Sequence, residues 1–441
     1  MGTRIGRMQK RVARISHLLM MRRMRPLRSI CSYGLQSKNR DGTQEENAEV
    51  TLSLVDNNVE MEAIPQYTMS IHTVMASDRF LGSILWSAIG DALGWPTKYA
   101  YTYGDRGLKP FYAHPLRGFV PWRLRDQGQP HSTELIASGT YSAHTQLMLA
   151  LAHSIEPDGL FNPEHFASIE LPLWLQVARA ADETSLAAAR HLSQGGIAWS
   201  QNFYSTPRRN YFQARTNDAL VRSLPIVLTS IGAERHIILQ TFVQTLITHG
   251  HPEAMLGTIL YALSLHFVLS ASSTLDGDAM LAYLAEQLSS ISLVVMDDER
   301  LVLWTRQWNE RTRQDFWLIW RTLAQSAIHN FELIASPILL LAYYKQVGAR
   351  HPATKDHTLP TLSVALYLFY QYWQQPERAL LTAVDTFGSA TDVIGACVGA
   401  LLGALYGLSC PALPASLPDT LQDDATLRDV ARRLYAMATH P

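Results

Sequence analysis

From residue 77 onward apolar side chains recur at intervals of three and four, the period of a helix with one buried face, and the strict alternation of a half-buried strand is nearly absent. This pattern predicts an all-α, compact multi-helix fold. Start signals punctuate it: Asp78 is placed to cap a helix over 79–93, Asn162-Pro163-Glu164 offers a cap, a first-turn proline and an acid, and Gly250-His251-Pro252-Glu253 does likewise. Helical periods return at 301–323 and 359–372, and 421–437 reads as a closing surface helix. Residues 100–133 and 194–216 break the pattern with Gly, Pro, Arg and aromatics. Long loops inside a compact domain are usually functional, so these two are expected to wall a binding site. No internal repeat is found.

The longest apolar run, 393–408, is shorter than the roughly 20 residues of a membrane span. Gly395, Gly399, Gly403 and Gly407 recur in it at every fourth position. Such a stripe serves either a tightly packed buried helix or a membrane helix pair; the length favours the first, and no transmembrane span is expected.

Composition changes this picture in two places. Hydrophobic residues make up 47% of the 441 and charged residues 17%, a balance for a well-buried globule. The net charge of -1 hides an asymmetry, because residues 1–40 hold 11 Lys and Arg and no acid, which leaves 26 Lys and Arg against 38 Asp and Glu in the rest. An acidic body has no electrostatic reason to seek nucleic acid. Residues 1–40 therefore read as a basic leader, either a targeting segment or an over-extended start upstream of Met69 or Met75, and 41–75 as a polar linker. The main domain is expected over 76–408, with a tail over 409–441. Cys31, Cys397 and Cys410 match no disulfide framework or zinc motif, and a cytoplasmic location is expected.

Four segments carry candidate chemistry: Gly90-Asp91-Ala92-Leu93-Gly94-Trp95-Pro96-Thr97, Gly139-Thr140-Tyr141-Ser142-Ala143-His144-Thr145, Thr248-His249-Gly250-His251-Pro252-Glu253, and Gly388-Ser389-Ala390-Thr391-Asp392-Val393-Ile394-Gly395. In this order and separation they resemble the ADP-ribosylglycohydrolase family, with a weaker echo of that family's Asn-Gly-Ala-Met-Arg-Pro segment from Asn217 to Pro225. The resemblance implies cleavage of the bond between ADP-ribose and a protein side chain, assisted by two magnesium ions. It implies that four carboxylates converge on those ions, from a Thr-Asp-Asp-Thr and an Asp-Thr-Asp-Thr segment. Here the first segment reads Ser142-Ala143-His144-Thr145 and the second Ala390-Thr391-Asp392-Val393, so Asp392 alone survives of the four acids, with Ser142 as a remaining hydroxyl. Lys98 stands where many relatives place a glutamate.

One carboxylate cannot neutralise two divalent ions, so no magnesium cofactor is expected. The chain is expected to be a non-hydrolytic family member with a cleft for ADP-ribose, a related nucleotide or an ADP-ribosylated protein. Two alternatives stay open: a glycohydrolase with altered chemistry, in which Asp392 and His144 are catalytic or hold one transition metal with Ser142, and an interaction scaffold. The resemblance places Gly139, Tyr141, Asn217, Gly388 and Ser389 at the ligand, the last two as backbone donors or as plain packing. Asp91 fits a structural hydrogen-bonding role or a pocket border, and His144 an ordinary helix-start side chain. His249 and His251 fit capping or a general base. Trp122, Trp199, Phe203, Tyr204 and Tyr211 could stack a base or anchor their loops, and Arg208 and Arg209 could pair with a pyrophosphate. The oligomeric state is open.

Overall fold

The computed structural model describes residues 77–102, 118–125, 133–271, 275–339, 342–343, 356–385, 390–411 and 413–439. The basic leader, the linker, Gly388 and Ser389 lie outside the described residues. The principal helices in chain order are α1 (Ser77–Thr102), α2 (Ala143–His153), α3 (Glu183–Leu192), α4 (Glu234–Leu246), α5 (Pro252–Ser270), α6 (Gly277–Asp297), α7 (Glu310–Ile334), α8 (Thr358–Tyr372), α9 (Pro376–Val384), α10 (Thr391–Tyr406) and α11 (Asp424–Thr439), so the fold is mostly helical as predicted.

The glycine stripe explains how α10 reaches the middle of the molecule. A Cβ on Gly90 would overlap the Gly395 carbonyl, one on Gly399 the Trp86 carbonyl, one on Gly403 the Gly82 carbonyl, and one on Gly94 the Thr391 carbonyl. As numbers climb along α1 they fall along α10, so the two helices run antiparallel with backbones in direct contact. Small residues permit this approach because no side chain stands between the axes. The stripe is thus met from within the chain by α1. Thr391 Oγ1 donates to the Gly94 carbonyl at 2.7 Å and fixes the register. That register sets the first turn of α10 beside the C-terminal half of α1.

α5 is apolar on all sides and almost wholly buried, the mark of a central helix. Arg79, in the first turn of α1, donates to the carbonyls of Val268 at 2.6 Å and Leu269 at 3.0 Å, and also to Ala404, so one guanidinium serves the carbonyl ends of α5 and α10. By length and composition α5 and α6 could each cross a membrane, although neither is the longest unbroken apolar run of the sequence. α5 is largely covered by the protein, whereas α6 keeps Leu293 and Met296 exposed.

Several boundaries differ from the sequence reading. α1 starts at Ser77, so Asp78 lies inside its first turn and accepts from the Leu408 N–H at 3.2 Å instead of capping. The segment 301–323 is two helices, Glu299–Arg306 and α7, because Asn309 caps the second through the Thr312 N–H. Late in the first long loop and just past its expected end, β1 (Trp122–Arg125) pairs antiparallel with β2 (Thr133–Ile136), Trp122 opposite Ile136. Trp122 packs edge-on to Trp95 of α1 at 5.1 Å, which pins the hairpin.

Candidate functional site

Asp91 sits in α1 with no exposed surface and gathers the start of α2 around it. Its Oδ2 accepts from the Ser142 N–H at 3.1 Å, the Thr145 N–H at 3.1 Å and the Thr145 hydroxyl at 2.7 Å. A carboxylate is well placed at the positive end of a helix, and these donors would otherwise be orphaned. Ser142 caps α2 by accepting from the His144 N–H. Burial raises the Asp91 pKa, against the nearby charge of His144.

The cap turns the His144 ring into the space between α2 and α10. Its Nε2 lies 3.4 Å from Asp392 Oδ2, and its Nδ1 lies 3.8 Å from Asp218 Oδ1. Lys98, one turn beyond Gly94 on α1, places Nζ 2.9 Å from the same Asp392 Oδ2. The other oxygen, Asp392 Oδ1, accepts from the Val393 N–H at 2.9 Å. Asp218 is held by the hydroxyls of Ser185 at 3.0 Å and Thr216 at 3.1 Å. Burial alone would raise the Asp392 pKa, but Lys98 and His144 hold it well below the usual carboxylate range. Burial favours neutral His144, yet Asp392 and Asp218 outweigh it and raise the imidazole pKa. Asp218 is raised by burial and by Asp182.

Behind this cluster, His249 is buried between the hydroxyls of Thr216 and Thr248, 2.9 and 2.7 Å away. Burial and then the charge of Arg222 push its pKa well down, so it is a neutral hydrogen-bonding side chain. His251 caps α5, its Nδ1 accepting from the Glu253 N–H at 3.1 Å.

In front of it opens a polar cleft of about 590 Å³, lined by Arg208, Arg209 and Arg215 together with Thr216, His251 and His357. Thr216 belongs to both places, since it lines the cleft and its hydroxyl donates to Asp218. Asp182 lies 3.7 Å from Arg209 across it. Among the described residues no carboxylate comes within ion-pair distance of the Arg208 guanidinium.

The predicted site residues divide. Asp392, His144 and Ser142 come together, and Asn217 lies buried next to Asp218 with its side-chain amide donating to Thr361 Oγ1 at 2.9 Å. Gly139 and Tyr141 are placed against the C-terminal segment: Gly139, at φ +75°, packs on the Thr420 carbonyl, and the Tyr141 hydroxyl donates to Asp423 at 2.9 Å. The loop aromatics are anchors. Tyr204 and Tyr211 are buried and donate to the carbonyls of Thr248 and Leu246.

The ADP-ribosylglycohydrolase family profile matches residues 73–441. The chain belongs to the ADP-ribosylglycohydrolase family. A solved structure described as an "ADP-ribosylglycohydrolase-related protein complex" is similar at a TM-score of 0.51 and 19% identity, covering 82% of this chain and 98% of that one, which shows the fold alone. No curated protein matches the chain.

In this ADP-ribosylglycohydrolase-family protein the residue that sequence reasoning passed over is Asp218. It stands at the glycine of the Asn-Gly-Ala segment echoed by Asn217-Asp218-Ala219. An acid in place of glycine beside a buried asparagine was the available signal.

Proposed function

We propose that this family member binds ADP-ribose or a related nucleotide without magnesium-dependent hydrolysis. The observation that carries the reading is the Lys98 Nζ contact with Asp392, on an oxygen that His144 also faces. Two magnesium ions need several hard oxygen ligands in octahedral sets, with carboxylates to balance their charge. Here Asp392 commits one oxygen to two side-chain cations and the other to a backbone N–H, and Asp91 commits Oδ2 to three donors. Among the described residues no group of three or more His, Cys, Asp or Glu side chains is arranged to hold a metal ion. The donor set does not fit the pair.

The cleft supports the binding half of the reading. Three arginines at one polar opening suit a pyrophosphate, which accepts charge-assisted hydrogen bonds from guanidinium forks. Titration calorimetry with ADP-ribose should give the same affinity with magnesium and with EDTA, and peptides ADP-ribosylated on arginine or serine should stay intact. Tighter binding with magnesium, or release of ADP-ribose from either peptide, ends the reading.

A further inference from the structure

We propose that the Lys98 ammonium, with the His144 ring seated between two carboxylates, takes the electrostatic place of the family's divalent metals, closing Asp392 and Asp218 into a chain that joins four segments of the fold. The inference rests on the reading that two magnesium ions do not fit, but its test involves no nucleotide.

The four groups come from α1, the first turn of α2, the turn at residues 217–219 and the first turn of α10. Their order in space is Lys98, Asp392, His144, Asp218, with contacts of 2.9, 3.4 and 3.8 Å, so the charges alternate in sign. Lys98 keeps 18% of its side-chain surface and the other three 6% or less. Groups so withdrawn from water lose several kcal/mol of hydration each, and alternation is the arrangement that returns most of it. Helix ends sharpen the argument. The positive end of α10 suits Asp392, and at the start of α2 both His144 ring nitrogens face a carboxylate, Asp392 on one side and Asp218 on the other.

The hydroxyls of Ser185 and Thr216 hold the end of the chain at Asp218, and within it the second Asp392 oxygen accepts from the Val393 N–H. Asp91 lies close enough to act on His144 and Asp392, and its own Oδ2 is held by the start of α2. Set against the motif that the chain resembles, two acids have become two cations, at positions 98 and 144. Alanines stand at two further acid positions of the motif, 143 and 390, so the two acids that remain in the cluster, Asp392 and Asp218, are faced by one nitrogen-bearing side chain each, Lys98 and His144.

Denaturant unfolding of the full chain tests this through Lys98→Met, Asp392→Asn and the double variant. Each single change strands a buried charge and should lower the folding equilibrium constant by roughly 100-fold. The double variant removes both and should recover most of that loss, a coupling of at least about tenfold. Additive losses would overturn the proposal. If Lys98→Met does not fold, folding of the double variant supports it and failure of the double variant overturns it. The wild-type melting temperature should be the same in EDTA and in millimolar magnesium, manganese or zinc; a rise with any of them also overturns it. Loss of ADP-ribose binding with the coupling intact would remove the nucleotide reading alone.

Discussion

The α1–α10 crossing and the arginine cleft lie on either side of Thr216 and Asp218, and they are built on opposite principles. At the crossing the two helix backbones are in contact and Lys98, Asp392 and His144 close on one another, although Asp91 Oδ1 and His144 Nδ1 are buried without a hydrogen-bond partner. At the cleft, Arg208 faces solvent without a carboxylate partner among the described residues, and Arg209 and Arg215 reach Asp182 and Glu253 only at 3.7 Å each. In the first region both Asp392 oxygens and Asp91 Oδ2 are taken up by donors of the chain itself. The second holds charges that a phosphate would complete. In an enzyme built on metals the two would act together, metal beside cleft; the reading proposed above separates them into a structural centre and a recognition surface.

The largest effect that should break this contrast is a single methyl group at the crossing. Gly90→Ala puts a Cβ into the Gly395 carbonyl, where only backbone stands in the way and no side chain can rotate aside. The loss should reach or pass the upper end of the roughly 1–3 kcal/mol typical of overpacked cores. A shift in the urea midpoint worth under about 0.5 kcal/mol would mean that the helices separate freely, and the crossing would not be the rigid frame of the site.

A smaller effect should come from pH, through histidines at the cleft. Burial, followed by the charge of Arg215, holds His251 and His357 down at about 4, below the ordinary 6.5. A histidine with a depressed folded pKa adds stability above 6.5 and loses it as pH falls through about 4. For His251 the cause is visible in the geometry, because its Nδ1 must stay unprotonated to accept the Glu253 N–H. Glu253 acts in the other sense: burial raises it to about 7, so its contribution is present below 4.5 and is lost as pH rises through 7. Replacing both histidines, as His251→Asn and His357→Gln, should flatten the acid limb between 6.5 and 4 by about 1 kcal/mol, a figure discounted for their partial exposure. Unfolding curves of equal slope for variant and wild type would remove these residues from the account.

What the amino-acid pattern disclosed follows from how local each feature is. Helix periods, the caps at Asn162 and His251 and the four-residue glycine spacing are short-range signals, and they were legible. The hairpin was not, because two four-residue strands fall below any useful window of alternation. The site was half legible. Ser142, His144 and Asp392 stand at helix starts inside motif positions, so they could be named, but the bond from Lys98 to Asp392 spans 294 residues and no pattern along the chain encodes it. Along the sequence Lys98 shows only as a cation at a position where relatives place a glutamate; in the fold it holds the Asp392 carboxylate. Of the two uses open to the loop aromatics, Tyr204 and Tyr211 take the anchoring one, tying their loop to the carbonyls of the α4 end, while Arg208, Arg209 and Arg215 of the same loop line the cleft.

The mildest change sharpens the comparison most. Arg208→Ala removes an exposed guanidinium that makes no ion pair among the described residues, so the fold should register less than about 0.5 kcal/mol. If the cleft is the recognition surface, the same change should weaken ADP-ribose binding by roughly tenfold, the worth of one charge-assisted contact to phosphate. Gly90→Ala should show the reverse pattern in whatever fraction still folds, with stability lost and the cleft arginines untouched. Calorimetry on Arg208→Ala that matches the wild type would place any nucleotide elsewhere, and the separation of centre from surface would then rest on the buried charges alone.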